Sequence, residues 1–171
     1  MKNLICFCLL AAGPILSFGQ IIKRYPIGAT GLSVNGYCEP KFNTTYSGDS
    51  AKVYTSECGK DDIYYMVICI EPNRSFNSLS KAEKALVNYV NNLKTQFKII
   101  SSTGYSSGNK LNGNESTWGT VEYWKDNEQF NWKVKSWTDG KFLTVLVAYS
   151  KHSFTEETVN PFLDGLLFKG M

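Results

Sequence analysis

The chain has 171 residues, 43% hydrophobic and 19% charged, with a formal net charge of +3. A single domain of this length buries roughly 70% of its unfolded surface and needs no metal or staples to fold. The basic residues are dispersed, with no run of five or six like charges, which argues against nucleic acid or an anionic membrane as the main partner.

The N-terminus reads as an export signal. Lys2 supplies a positive start, Leu4 to Ala12 is uncharged and apolar, and Ser17-Phe18-Gly19 places small residues where a signal peptidase reads them. The expectation is a signal peptide over residues 1–19, cleavage before Gln20 and a secreted or periplasmic mature chain. Gly13, Pro14, Ser17 and Gly19 interrupt the second half, so the apolar part is too short to span a membrane. No other segment has the length for a transmembrane helix. Residues 20–35 then read as an irregular leader, and 36–171 as one domain.

Three cysteines remain in the mature chain: Cys38, Cys58 and Cys69. In an oxidising compartment an odd number predicts one bridge and one free thiol, or an intermolecular bond. Three pairings are open, and Cys38–Cys58 is the favoured one.

Residues 41–46 alternate apolar and polar as a strand does, and Ser47-Gly48-Asp49-Ser50 is turn chemistry. Ala51 to Cys58 is a second strand, 59–62 a second turn that takes Asp61 and Asp62, and Ile63 to Ile70 a third strand. Its unbroken apolar run predicts cover on both faces.

Ser80 to Phe97 reads as a helix, with Ser80 and Glu83 as a capping box. Ala82, Leu86, Val90 (or Tyr89), Leu93 and Phe97 form one apolar stripe, opposite Lys81, Lys84, Asn88, Asn91 and Asn92. Ser101 to Ser116, rich in Gly, Ser and Asn, reads as a long loop.

Three strands follow. A two-residue turn at Asn127-Glu128 pairs Trp124 with Asn131, Tyr123 with Trp132, Glu122 with Lys133 and Trp118 with Trp137. A type I′ turn at Asp139-Gly140 pairs Trp137 with Phe142, Val134 with Val145 and Trp132 with Val147. These registers set Tyr123, Val121, Trp132 and Val134 on a core face. Glu122 and Lys133 become a cross-strand charge pair on the other face, with Trp118, Trp137 and Phe142 in a row across its end. The chain closes with a short apolar helix. It starts either at Asn160-Pro161 or a turn earlier, at Thr155 with Glu156 and Glu157.

This order of elements resembles the small exported bacterial proteins of the PsbP-like class. The resemblance rests on Tyr37-Cys38-Glu39-Pro40, Ile63–Ile70, Trp118–Tyr149 with its Asp139-Gly140 turn, and Phe162 to Phe168, and covers roughly residues 34–170. It implies an α+β fold in which helices pack an antiparallel sheet as an α/β/α sandwich. The extrinsic photosystem II protein and a Ran-binding nuclear import factor share that fold, and members of the class mostly bind or organise other proteins. Neither of those two roles transfers, because no functional residues here match.

The catalytic motifs are missing from the sequence. His152 is the single histidine, no zinc spacing links the cysteines, and no nucleophile elbow, phosphate loop or dinucleotide fingerprint occurs. No metal or other cofactor is expected. The ligand-binding candidates are Trp118, Trp137 and Phe142, joined by Trp124 and Tyr105, as a stacking platform for a sugar or peptide; cover by a helix or the leader is the simpler reading of that row. The expected function is an exported, non-enzymatic binding domain for protein or envelope glycan. The alternative is a secreted hydrolase or thiol-dependent enzyme that uses a cysteine with His152.

Overall fold

The computed structural model describes residues 21–171, and the expected export signal with its cleavage point lies outside them. The chain runs through β1 (Lys23–Pro26), β2 (Ser33–Gly36), β3 (Asn43–Tyr46), β4 (Lys52–Lys60), β5 (Ile63–Glu71), α1 (Leu79–Gln96), β6 (Ile99–Asn109), β7 (Trp118–Asp126), β8 (Asn131–Thr138), β9 (Leu143–Ser150) and α2 (Glu156–Leu163). The fold is α+β. Seven antiparallel strands form one sheet in the order β3-β4-β5-β9-β8-β7-β6, and β1 pairs with β2 in a small second sheet. Among the described residues, no helix is long and apolar enough to cross a membrane.

The sheet carries an apolar layer on each face, as the unbroken run in β5 predicts. On one face Ala82, Leu86, Val90 and Leu93 of α1 pack on Ile68, Val134, Val145 and Val147. On the other, Phe162 and Leu163 of α2 and Ile27, Leu32 and Val34 of the β1–β2 hairpin pack on Tyr65, Val67, Leu146 and Trp137. The leader is therefore not irregular: its apolar residues need cover, and the hairpin supplies it. Ser33 and Leu167 exchange two backbone hydrogen bonds, which ties this hairpin to the segment after α2.

Several local expectations change. Helix α1 is capped by Ser78, whose hydroxyl accepts from Lys81 N at 3.3 Å, while Glu83 leaves the cap and accepts from Gly108 N at 2.6 Å. Helix α2 takes the earlier start, capped by Thr155, with Pro161 inside it. The expected 101–116 loop is mostly strand. Edge strand β6 is exposed along nearly its whole length, so it has no apolar alternation to read, and its register shifts where Gly104 and Gly108 adopt positive φ.

The turn chemistry is exchanged between two hairpins. Asp61 and Asp62, with φ of 51° and 61°, make the two-residue I′ geometry between β4 and β5. Asp139-Gly140 instead belongs to a longer loop in which the Asp139 carboxylate accepts from Lys141 N and Phe142 N, both at 2.8 Å. Trp137 consequently pairs with Thr144 and Val134 with Val147, a slip of two that preserves the faces.

The β7–β8 turn carries the decisive error. Asp126 accepts from the backbone of Glu128 and Phe130, and Gln129 takes φ of 69°, so the turn holds one residue more than expected. Trp124 then pairs with Trp132, Tyr123 with Lys133 and Glu122 with Val134. An odd slip sends every β7 side chain to the opposite face.

Aromatic rings fill the gaps left by glycines, which is one destination for the high aromatic content. A Cβ on Gly119 would lie 2.5 Å from the Trp137 ring, one on Gly104 2.8 Å from Tyr123, and one on Gly59 3.4 Å from Tyr64. At Gly119 it would also meet the Ser136 carbonyl oxygen at 1.9 Å, a backbone atom that cannot yield. Gly119→Ala should therefore cost about 3 kcal/mol or more in urea unfolding. Gly48→Ala, with nothing within 4 Å of the added carbon, should stay within about 0.5 kcal/mol.

Cys38 and Cys58 form a disulfide across 20 positions of sequence, and Cys69 is a buried free thiol. Replacing both bridged cysteines by alanine should cost about 3 kcal/mol by loop entropy. A thiol reagent should label Cys69 only once the chain unfolds.

Candidate functional site

The expected aromatic row is not formed. The β7 register puts Trp118 opposite Thr138, on the α1 side of the sheet, while Trp137 lies on the α2 side. Trp137 is 3% exposed, and its indole N–H donates to the Leu163 carbonyl of α2 at 3.2 Å. Phe142, half-buried, packs against the α2-side core. Trp124 is buried on the α1 side, its indole N–H donating to Glu122 at 2.8 Å. Tyr105, 54% exposed, stands alone on β6. A different row exists: Trp124, Trp132, Tyr149 and Tyr64 are cross-strand neighbours on β7, β8, β9 and β5, with Trp132 and Tyr149 stacked at 4.2 Å and Tyr149 and Tyr64 at 5.0 Å. Its tryptophans are buried and Tyr64 ends it at the surface.

The charge pair expected between Glu122 and Lys133 is also absent, since the same register places them on opposite faces. Each holds the helix on its own side. Glu122 accepts from Lys94 of α1 at 2.5 Å, from Ser102 at 2.9 Å and from the Trp124 indole. Lys133 is only 2% exposed, and its ammonium donates to Glu156 at 2.6 Å and Asn160 at 2.9 Å on α2. Lys135, two positions on, donates to both carboxylate oxygens of Asp164 at 2.7 Å. The acceptors recur every four residues, so they share one helix face and meet alternate residues of β8.

A groove of about 440 Å³ opens beside this lock, between β6–β7–β8 and the start of α2. Ser101, Thr103, Lys125 and Asn131 form its polar side, and Ser153, Phe154 and Val159 the opposite wall. Tyr123 stands in its floor and donates its hydroxyl to Glu156 at 2.6 Å, with the Lys133 ammonium 5.2 Å from its ring centre. The hydrogen bonds from Lys133 and then Tyr123 pull the Glu156 carboxyl down to about 2 from its ordinary 4.5. The hydrogen bond to Glu156, then burial, pushes the Tyr123 phenol up to about 12. Sequence reading missed this cluster because the one-residue slip buried Tyr123 in the expected core. The signal available was Lys133 and Lys135 on alternate strand positions together with Glu156, Asn160 and Asp164.

The thiol-plus-histidine pair is not assembled. Cys69 faces Thr144, which donates to its sulfur at 3.7 Å, and burial pushes its thiol up to about 12. His152 lies two residues past Ser150, the far end of β9, which is six residues beyond Thr144 and about 20 Å from it along the strand. Among the described residues no group of three or more His, Cys, Asp or Glu side chains is placed to hold a metal ion. No family model matches the chain, and no curated protein resembles it significantly.

A folded carboxyl held below its unfolded pKa contributes stability above the unfolded value and loses it as pH falls through the folded one. The Glu156 contribution should therefore vanish between about pH 4.5 and 2, and Glu156→Gln should flatten that part of a pH-dependent unfolding series. Glu156→Ala strands a buried ammonium and should cost about 2–4 kcal/mol. Lys133→Met leaves a hydrated carboxylate, 60% exposed, and should cost less.

Proposed function

We propose that the mature chain is an exported, non-enzymatic binding domain, an α/β/α sandwich of the PsbP-like class, whose ligand site is the groove beside Tyr123. The observation that carries this reading is the groove's construction. A volume of about 440 Å³ is that of an ordinary small-ligand site, and hydroxyls, an amide and a lysine line one side while Phe154 and Val159 supply an apolar wall. That mixture suits an envelope glycan fragment, whose rings offer both hydroxyl edges and apolar faces. The Lys133–Glu156–Tyr123 lock gives the site a rigid floor, which lowers the ordering cost of binding.

The thiol-enzyme alternative has little to support it. Its nucleophile would be Cys69, which is buried, keeps its proton and has Thr144 rather than an imidazole beside it.

The test is a calorimetric titration of the mature protein with soluble envelope glycan fragments. Saturable binding is expected, and Thr103→Arg on the exposed edge strand should weaken it at least tenfold without altering the unfolding midpoint. A flat titration, or binding indifferent to Thr103→Arg, would overturn the assignment of this site.

A further inference from the structure

A second cavity lies inside the α2-side core, directly beneath the Cys38–Cys58 disulfide. Val34 and Gly36 of the N-terminal hairpin, Ser56 and Cys58 of β4, Tyr65 of β5 and Phe162 of α2 contribute to its wall. Side chains at 56 and 58 share a face of β4, and Tyr65 is the cross-strand partner of Cys58, so register alone brings these groups together. The cavity leaves about 10 Å³ free to the centre of a water molecule, which is room for one water.

Two polar atoms in this wall are left over. Ser56 Oγ and Tyr65 OH are buried and have no hydrogen-bond partner among the described residues. The rest of the interior is not loosely satisfied. Thr120 and Ser136 bond each other at 2.7 Å, and Glu122, Lys133 and the indoles of Trp124, Trp132 and Trp137 all have partners. Orphaned hydroxyls are costly in a low-dielectric interior, and here both belong to residues that line the same water-sized space. Neighbouring apolar groups cannot supply it. Tyr65 is bounded by the Tyr37 ring at 5.2 Å and the Phe162 ring at 5.1 Å, and the Tyr37 hydroxyl donates to the Thr158 carbonyl and makes no hydrogen bond with Tyr65 OH or Ser56 Oγ.

We propose that this cavity is a binding site for a single structural water, which accepts a hydrogen bond from Tyr65 OH and donates one to Ser56 Oγ. The water completes the polar bonding of the layer that joins β4 and β5 to the N-terminal hairpin and α2. A site of this kind exchanges slowly, because its occupant leaves only when that layer opens.

Oxygen-17 relaxation dispersion on the native protein counts long-lived internal waters, and the same measurement on Tyr65→Phe should find one fewer. A high-resolution crystal structure should show a discrete solvent peak within hydrogen-bonding distance of both oxygens. In urea unfolding, Ser56→Ala and Tyr65→Phe should each lower the midpoint, and the double variant should lose less than the sum, since both hydroxyls act through one molecule. The proposal is overturned if the cavity holds no density and the single variants raise the midpoint additively, the behaviour of two orphaned hydroxyls relieved of their burial cost.

Discussion

The alternation of side chains along β8 is the constraint on which the rest of the structure depends. Asn131 to Thr138 runs through the middle of a sheet covered on both faces, so each residue goes to one buried layer or the other. Trp132 and Val134 go to the α1 side. Lys133, Lys135 and Trp137 go to the α2 side, and two ammonium groups there must be paired or the fold fails. Helix α2 meets the requirement with Glu156, Asn160 and Asp164, and the Leu163 carbonyl receives the Trp137 indole. Such pairs return little net stability against an apolar replacement. Their effect is geometric: they set which turn of a short helix lies over which strand residue.

The α1 side answers with reversed polarity. There the sheet holds the acid, Glu122, and the helix holds the base, Lys94. Tyr123, next to Glu122 in sequence, points the other way and joins the α2 lock. Two adjacent residues of β7 thus serve different helices. The groove inherits its floor from this arrangement, because the same Glu156 that anchors α2 also orients the Tyr123 hydroxyl.

Much of the architecture was legible in the sequence. The apolar stripe of α1 docks as its spacing predicts, the continuous apolar run of β5 is covered on both faces, and Cys38 pairs with Cys58. The errors came where a local signal had two structural meanings. Glycine and serine along 101–109 read as loop, yet an exposed, bulged edge strand needs no apolar alternation. Asp139-Gly140 reads as a tight turn, yet the Asp139 carboxylate caps two amide groups of a longer one. Apolar residues at 27, 32 and 34 are too sparse to announce a hairpin, which pairs only because α2 and the sheet offer them cover.

The sequence by itself determined the elements that depend on local or periodic chemistry: the amphipathic helix, the buried central strands, the α+β class and the odd count of cysteines. The tertiary structure decided the candidate site. One extra residue in the Asp126–Phe130 turn, held by the Asp126 side chain, moved Tyr123 from the expected core to the groove and separated Trp118 from Trp137. A strand's side chains alternate with period two, so a single-residue slip exchanges its faces entirely. Only contacts with both helices distinguish the two registers, because only they reveal which face must take Lys133 and which must take Glu122.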